Sequence, residues 1–294
     1  MPILKAPPEP PDIANDSFEG SPQSESRFVN GFWQTLQNLP EHPPRRESVD
    51  LLALLGLVCL WGALFYWTWG TWGSVTIDSG REIYVPVALL KGQMLYRDVI
   101  YQYPPLAPYF NALLFRLFGV HLAVLYWAGA LSALGSAILL FATGSRLSSR
   151  LIGWTAGAIL LIEAFRRSLF SFPLPYSYAS VYSCLMACLF LWLVVRSASS
   201  PRWVWKLAAA TAAGVATLLK LEFGTAFYVV LALWIGADCL RERKPAPIAS
   251  WLRALAPGAA ACLGVAAWMI SIRGAHFITH ENMDSWPTSY FMRT

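Results

Sequence analysis

The strongest constraint on this chain is a series of apolar runs at about 51–72, 106–119, 121–142, 151–165, 176–195, 206–220, 222–240 and 250–271. A run of about twenty such residues matches a helix that spans the hydrocarbon core of a bilayer, about 30 Å thick. Inside that core every backbone polar group must be satisfied internally, so the runs read as helices. Charged residues make up 13% of the 294, against about 25% in an ordinary globular domain. A soluble enzyme is excluded, and the fold class is an all-α polytopic membrane protein. The net charge of +5 mostly sets orientation in such a chain, and no nucleic-acid partner is implied.

Residues 1–47 are of a different composition. Nine prolines interleaved with Asp, Glu and Ser leave little apolar surface to bury, so a disordered segment is expected. Within it Phe28, Phe32, Trp33, Leu36 and Leu39 recur at helical spacing, which fits a short interfacial helix or a weakly ordered stretch. Residues 48–294 form the membrane domain, with no cleavable signal peptide ahead of the first run. Gly119, the Ser145–Arg150 stretch, Phe172-Pro173-Leu174-Pro175, Ser199-Ser200-Pro201, Lys244-Pro245-Ala246-Pro247 and Arg273-Gly274 punctuate the runs as turns. No internal repeat supports a repeat-built transporter. Cys59, Cys184, Cys188, Cys239 and Cys262 all fall within apolar runs and read as small buried residues. Trp61, Trp67, Trp69, Trp72, Trp203 and Trp205 lie near run ends, as interfacial belt residues do.

Arg45 and Arg46 precede the first run, which places the N-terminus in the cytoplasm and residues 73–105 on the opposite side. If 106–119 is short or re-entrant, the loops 143–150, 196–206 and 241–253 become cytoplasmic. They hold nine basic residues, against five in the later outer segments. That count favours about seven crossings plus one short helix, and 106–119 spans only about 21 Å. The rival arrangement makes 206–240 a single crossing broken at Lys220-Leu221-Glu222.

The first outer loop, 73–105, mixes charge with aromatics and is too long for a plain connection. Asp78 or Ser79 as N-cap, Glu82 in the first turn, and Ile83, Val87, Leu89 and Leu90 on one face predict an amphipathic helix ending at Lys91-Gly92. Asp78 and Arg81 then stand one turn apart near the membrane surface. A carboxylate there can take a proton from a hydroxyl, while a cation and a helix N-terminus can hold a phosphate. The alternative is structural: Asp78 caps the helix, and Arg81 pairs with Glu82 or with a lipid phosphate. Lys220, flanked by apolar helices, calls for a partner such as Glu222, a cavity, or a snorkelling position at the boundary. Glu163, Arg166 and Arg167 end another run, where they bind an anion or anchor to lipid headgroups.

Asp78-x-x-Arg81, Leu90-x-Gly92-x-x-Leu95-Tyr96-Arg97-Asp98 and Tyr103-Pro104-Pro105-Leu106 leading to Leu117-Phe118-Gly119 resemble the N-terminal half of GT-C glycosyltransferases. More narrowly they are similar to the branch of protein O-mannosyltransferases and lipid A aminoarabinose transferases (glycosyltransferase families 39 and 83), over roughly residues 50 to 290. The resemblance implies an inverting transfer of a sugar from a polyprenyl-phosphate donor to a lipid, glycan or protein hydroxyl acceptor. The reaction would take place at the periplasmic or extracellular face of the plasma membrane, among membrane lipids. It implies Asp78 as general base and Arg81 near the donor phosphate, with Arg97, Tyr103 and Lys220 as further substrate-binding residues. Leu218-Leu219-Lys220-Leu221-Glu222-Phe223-Gly224 occupies the place of the family's lysine-glycine break. His280 and Glu281 match a histidine beside a glutamate in the later outer loop, or are exposed loop residues. A shared compartment for Asp78, Tyr103 and His280 requires an even number of crossings between 105 and 276.

Departures accompany the likeness. Gln102-Tyr103 stands where the aminoarabinose transferases have Glu-Lys, so a phosphate-binding cation is replaced by a phenol and a metal-ligating carboxylate by an amide. No cofactor or metal ligand set is implied. The chain ends at Thr294 within the 272–294 outer segment, where relatives continue, and so reads as truncated. The competing functional readings are a transporter or lipid-binding protein, and an inactive truncated glycosyltransferase.

Overall fold

The computed structural model describes residues 47–72, 78–168, 170–198, 203–242 and 248–273. The expectations for residues 1–46, including the helix at Phe28 to Leu39, and for His280 and Glu281 lie outside these residues. Among the described residues the structure is helical: α1 (Glu47–Trp67), α2 (Asp78–Leu90), α3 (Leu106–Phe118), α4 (Leu122–Leu147), α5 (Arg150–Ala164), α6 (Tyr178–Ala198), α7 (Trp203–Leu219), α8 (Leu221–Glu242) and α9 (Ile248–Arg273). By length and apolarity three stretches are able to cross a membrane: Asp50–Trp67, Leu122–Leu147 and Tyr178–Ala198. Shorter apolar helices are Leu106–Phe118, Trp203–Leu219, Leu221–Gly236 and Gly258–Trp268.

Helix α4 is central. It packs chiefly on α5 and α6; α1 flanks α5 and α4; α6 passes the packing on to α7, and α7 to α8 and α9. Between apolar helices in lipid the attraction comes from close packing, which small residues permit. The α4–α5 crossing shows this directly. A Cβ on Gly144 would lie 2.7 Å from the Gly153 Cα, and one on Gly157 would lie 2.8 Å from the Ala137 carbonyl oxygen. Helix α4 runs through Leu147, beyond the turn expected to begin at Ser145. The actual turn is Ser148-Ser149, where the Ser149 hydroxyl accepts the Ile152 N–H and caps α5. At the same end Arg150 pairs with Asp50 of α1 at 2.6 Å.

The predicted amphipathic helix is present as α2, with Ile83, Val87 and Leu89 packed partly buried against the neighbouring cores and a buried face wider than expected. Glu82, Val85 and Ala88 are 1–2% exposed, whereas Leu90 is 39% exposed, because the helix turns its charged Glu82 inward toward α6. Val85, Ala88, Leu95, Tyr96, Val99 and Tyr101 form a small core that takes in Val265 and Trp268 of α9. The stretch from Val85 to Tyr101 therefore rests on the last turns of α9. Helix α3 starts just after Tyr103 and hands over through Gly119 to α4, whose Leu125 packs with Phe115 and Tyr178. Both ends of α3 thus meet the same end of the bundle.

The tryptophan expectation divides. Trp67, Trp69 and Trp203 are exposed, but Trp72 is 3% exposed and its indole N–H donates to the Phe165 carbonyl. Trp61 is half-buried and donates to the Ala130 carbonyl at 2.8 Å. Both belong to a core around Phe65, which stacks on Trp61 and Trp72. The cysteine expectation divides as well: Cys188 is buried, while Cys59 is exposed on α1.

Candidate functional site

Three segments distant in sequence meet beside α2. The stretch Phe172–Pro175 folds inward, with Leu174 fully buried. It is held by the Tyr178 phenol donating to the Pro173 carbonyl and by Ser171 donating to that of Leu174. Helix α6 then begins at Tyr178 with unsatisfied N–H groups and a partial positive charge. Glu82 supplies the complement. Its Oε2 accepts the Tyr178 N–H at 3.0 Å, and the Ser79 hydroxyl donates to the Pro175 carbonyl at 3.5 Å. Burial pushes the Glu82 carboxyl up to about 7, against the lowering effects of the Tyr178 N–H and of Arg81.

Arg81 lies on the adjoining face of α2, with 25% of its side chain exposed and Nη2 3.5 Å from Glu82 Oε1. Its Cζ sits 5.5 Å from the ring centre of Tyr103 and 5.4 Å from that of Tyr176, so two aromatic faces hold the guanidinium. Its Nε and Nη2 are buried without a hydrogen-bond partner. Desolvation would lower its pKa, but Glu82 and the surrounding phenols outweigh this, and the net shift is upward.

The second cation arrives from elsewhere. Lys220 lies between α7 and α8, its Nζ 5.5 Å from the Tyr103 ring centre and donating to Ser180 Oγ at 3.2 Å. The chain reverses here. A Cβ on Gly224 would lie 2.6 Å from the Thr217 Cα, whereas in one continuous helix residues seven apart are about 10 Å apart along the axis. This hairpin contradicts the rival of one broken crossing through 206–240. Glu222 is exposed, so Lys220 is satisfied by Ser180 and Tyr103 and not by Glu222.

Tyr103 is the piece the two cations share. Its hydroxyl lies 3.4 Å from that of Tyr176, and its carbonyl accepts the Tyr96 phenol at 2.7 Å. Tyr96 has φ +68° and is 1% exposed, an uncommon conformation for a bulky residue. A turn in which Asp98 accepts the Met94 N–H steadies that region. Burial, together with Tyr176, pushes the Tyr103 hydroxyl well up, so it stays protonated. Tyr101 beside it is buried with its hydroxyl unpartnered.

Arg81, Tyr103 and Lys220, all singled out in the sequence, are thus brought together. Asp78 is the first residue of α2, one turn ahead of Arg81. Arg97 is not in the cluster: it pairs with Asp98 at 2.9 Å on the exposed side of its turn. Gln102 is exposed. Glu163 and Arg166 form an exposed pair at 3.4 Å. Sequence reasoning missed the buried cap made by Glu82 and the contributions of Tyr176 and Ser180. A signal existed for Tyr176, which follows the Phe172–Pro175 turn as Tyr103 precedes the Pro104-Pro105 pair.

Neither a comparison with curated proteins nor one with solved structures gives a match. The family pattern described as dolichyl-phosphate-mannose-protein mannosyltransferase matches residues 102–270. That span is more than half of the chain and includes Tyr103, Tyr176, Ser180 and Lys220, while Asp78 and Arg81 lie ahead of it. The chain therefore belongs to the dolichyl-phosphate-mannose-protein mannosyltransferase family, membrane glycosyltransferases that draw on a lipid-linked sugar donor.

Proposed function

We propose that this protein transfers a sugar, with inversion, from a polyprenyl-phosphate donor to a hydroxyl acceptor at the outer membrane face. The observation that carries the reading is the pairing of Arg81 and Lys220 on the single ring of Tyr103, with guanidinium N–H groups left unpartnered. Two cations brought from separate parts of the chain to one polar, aromatic-walled spot suit an anion that sits at the membrane surface.

The acceptor oxygen attacks the anomeric carbon as Asp78 takes its proton. The bond from that carbon to the phosphate oxygen breaks, and the phosphate leaves with one more negative charge than it carried as a diester. Arg81 and Lys220 gain attraction as that charge develops, so they stabilise the transition state more than the ground state. The Tyr103 hydroxyl, kept protonated by burial, is a donor beside the same place, and the Tyr176 hydroxyl adjoins it. Arg97, held by Asp98, shapes the turn that positions Tyr103. His280 and Glu281 would face the acceptor from the segment after α9, whose last turns pack on the first outer loop.

The topology that goes with this chemistry has seven crossings, α1 and α4 to α9, with α2 and α3 at the outer end. The position of both α3 ends and the reversal at Lys220 support it. Transfer to an acceptor, measured in membranes with a polyprenyl-phosphate sugar, tests the reading. Asp78→Asn should abolish transfer with insertion intact, and Arg81→Ala or Lys220→Ala should lower it about a hundredfold. Undiminished transfer by Asp78→Asn removes Asp78 as the base.

A further inference from the structure

The chemistry above leaves Glu82 unused, yet this is the carboxylate set deepest in the site, 2% exposed. Capping α6 needs only an acceptor for the Tyr178 N–H, which Oε2 provides at 3.0 Å, and an amide would do as much. The other oxygen has no hydrogen-bond partner and lies 3.5 Å from Arg81 Nη2, close enough for attraction but poorly aimed for a hydrogen bond. Glu82 thus exceeds what a cap requires, and the excess is a negative charge against the cation proposed to hold the donor.

Among the described side chains the surroundings offer that charge little else. On its own helix, after Asp78 one turn back, the neighbour is Arg81; from the loop before α3 come Tyr101 and Tyr103, and from the approach to α6 comes Tyr176. From α6 itself come Tyr178 and Tyr182. Lys220, from the α7–α8 turn, is engaged with Ser180 and the Tyr103 ring. Among these groups Arg81 is the cation paired with Glu82. An anion that recruits the free N–H groups of Arg81 takes away the charge that makes a buried carboxylate tolerable, and such a group then takes up a proton.

We infer that Glu82 is a positioning residue that couples the grip of Arg81 on the donor phosphate to the uptake of a proton, so that anion binding and neutralisation of Glu82 occur together. The inference rests on the reading of Arg81 as a donor-phosphate ligand. Burial already brings the Glu82 carboxyl up to about 7, so the exchange falls within the physiological range. Donor affinity should accordingly weaken as pH rises, because ionised Glu82 competes for Arg81.

The test uses the full chain in lipid nanodiscs and a polyprenyl methyl phosphodiester, whose single charge does not titrate near neutrality. Calorimetry near pH 7 in two buffers of different ionisation enthalpy should show a fraction of a proton taken up by the wild type on binding. Glu82→Gln should take up none, match the wild type near pH 5.5, and bind at least about fivefold more tightly near pH 8. No uptake by the wild type, a measurement that does not depend on the variant folding, overturns the coupling; so does a Glu82→Gln protein with the wild-type pH dependence. Arg81→Ala separates the two readings. If it binds the diester as the wild type does, the phosphate assignment itself fails. If it binds weakly while the wild type takes up no proton, only the coupling fails.

Discussion

At the scale of single residues, the site is organised by aromatic faces more than by ion pairs. Tyr103 carries no charge itself, yet its ring collects Arg81 from α2 and Lys220 from the α7–α8 turn. A cation over an aromatic face is held without a charge partner of its own, though Arg81 also has Glu82 beside it. Glu82 is the exception, and it carries a stability signature of its own. Its folded value, about 7, is raised from 4.5, so the folded state holds this proton more tightly than the unfolded one. The contribution to stability is full below about 4.5 and is lost as pH rises through about 7, a change on the order of 3 kcal/mol. Denaturation of the wild type in nanodiscs should show this decline, and Glu82→Gln should flatten it. A decline of the same size in the variant would assign the effect to another group.

At the scale of elements, the close approaches are made by residues that have no side chain to spare. The hairpin between α7 and α8 depends on Gly224, where a Cβ would meet Thr217 Oγ1 at 1.9 Å and its backbone Cα at 2.6 Å. Gly224→Val should therefore open the hairpin, withdraw Lys220 from Ser180 and Tyr103, and cost about 1–3 kcal/mol from overpacking. Gly236, on the same helix with nothing within 4 Å of an added Cβ, provides the control, and Gly236→Ala should leave both melting and transfer unchanged. Equal melting temperatures and equal transfer rates for the two variants would argue against the hairpin. The lysine-glycine break was visible in the sequence, but its shape was not. A broken crossing and a tight reversal share one apolar pattern, and only the contact of Gly224 with Thr217 distinguishes them.

At the scale of the whole molecule, the bundle has one end with the site and another with Arg150, Asp50, Arg196 and Trp205. Accessibility to a membrane-impermeant thiol reagent should follow that division. Single cysteines at Tyr84 and Val120, both exposed, should label from the outer side, and one at exposed Trp203 from the cytoplasmic side. Labelling of residue 120 from the cytoplasmic side would mean that α3 crosses, and the seven-crossing topology would be withdrawn.

The linear order of residues was enough for the membrane class, the helical runs, the amphipathic helix after the first of them, and for singling out Arg81 and Lys220 as charges near apolar runs. These follow from local properties: apolar length against bilayer thickness, helical periodicity, and the rarity of charge among apolar neighbours. The inward turn of Glu82, the pairing of Arg97 with Asp98 outside the cluster, and the entry of Tyr176 and Ser180 were settled only by the packing. Each depends on which distant backbone an element meets. The N–H that Glu82 caps belongs to residue 178, and Tyr103 is shared between residues 81 and 220. Periodicity within a helix specifies a face, but the partner of that face is decided by contacts far away in the chain.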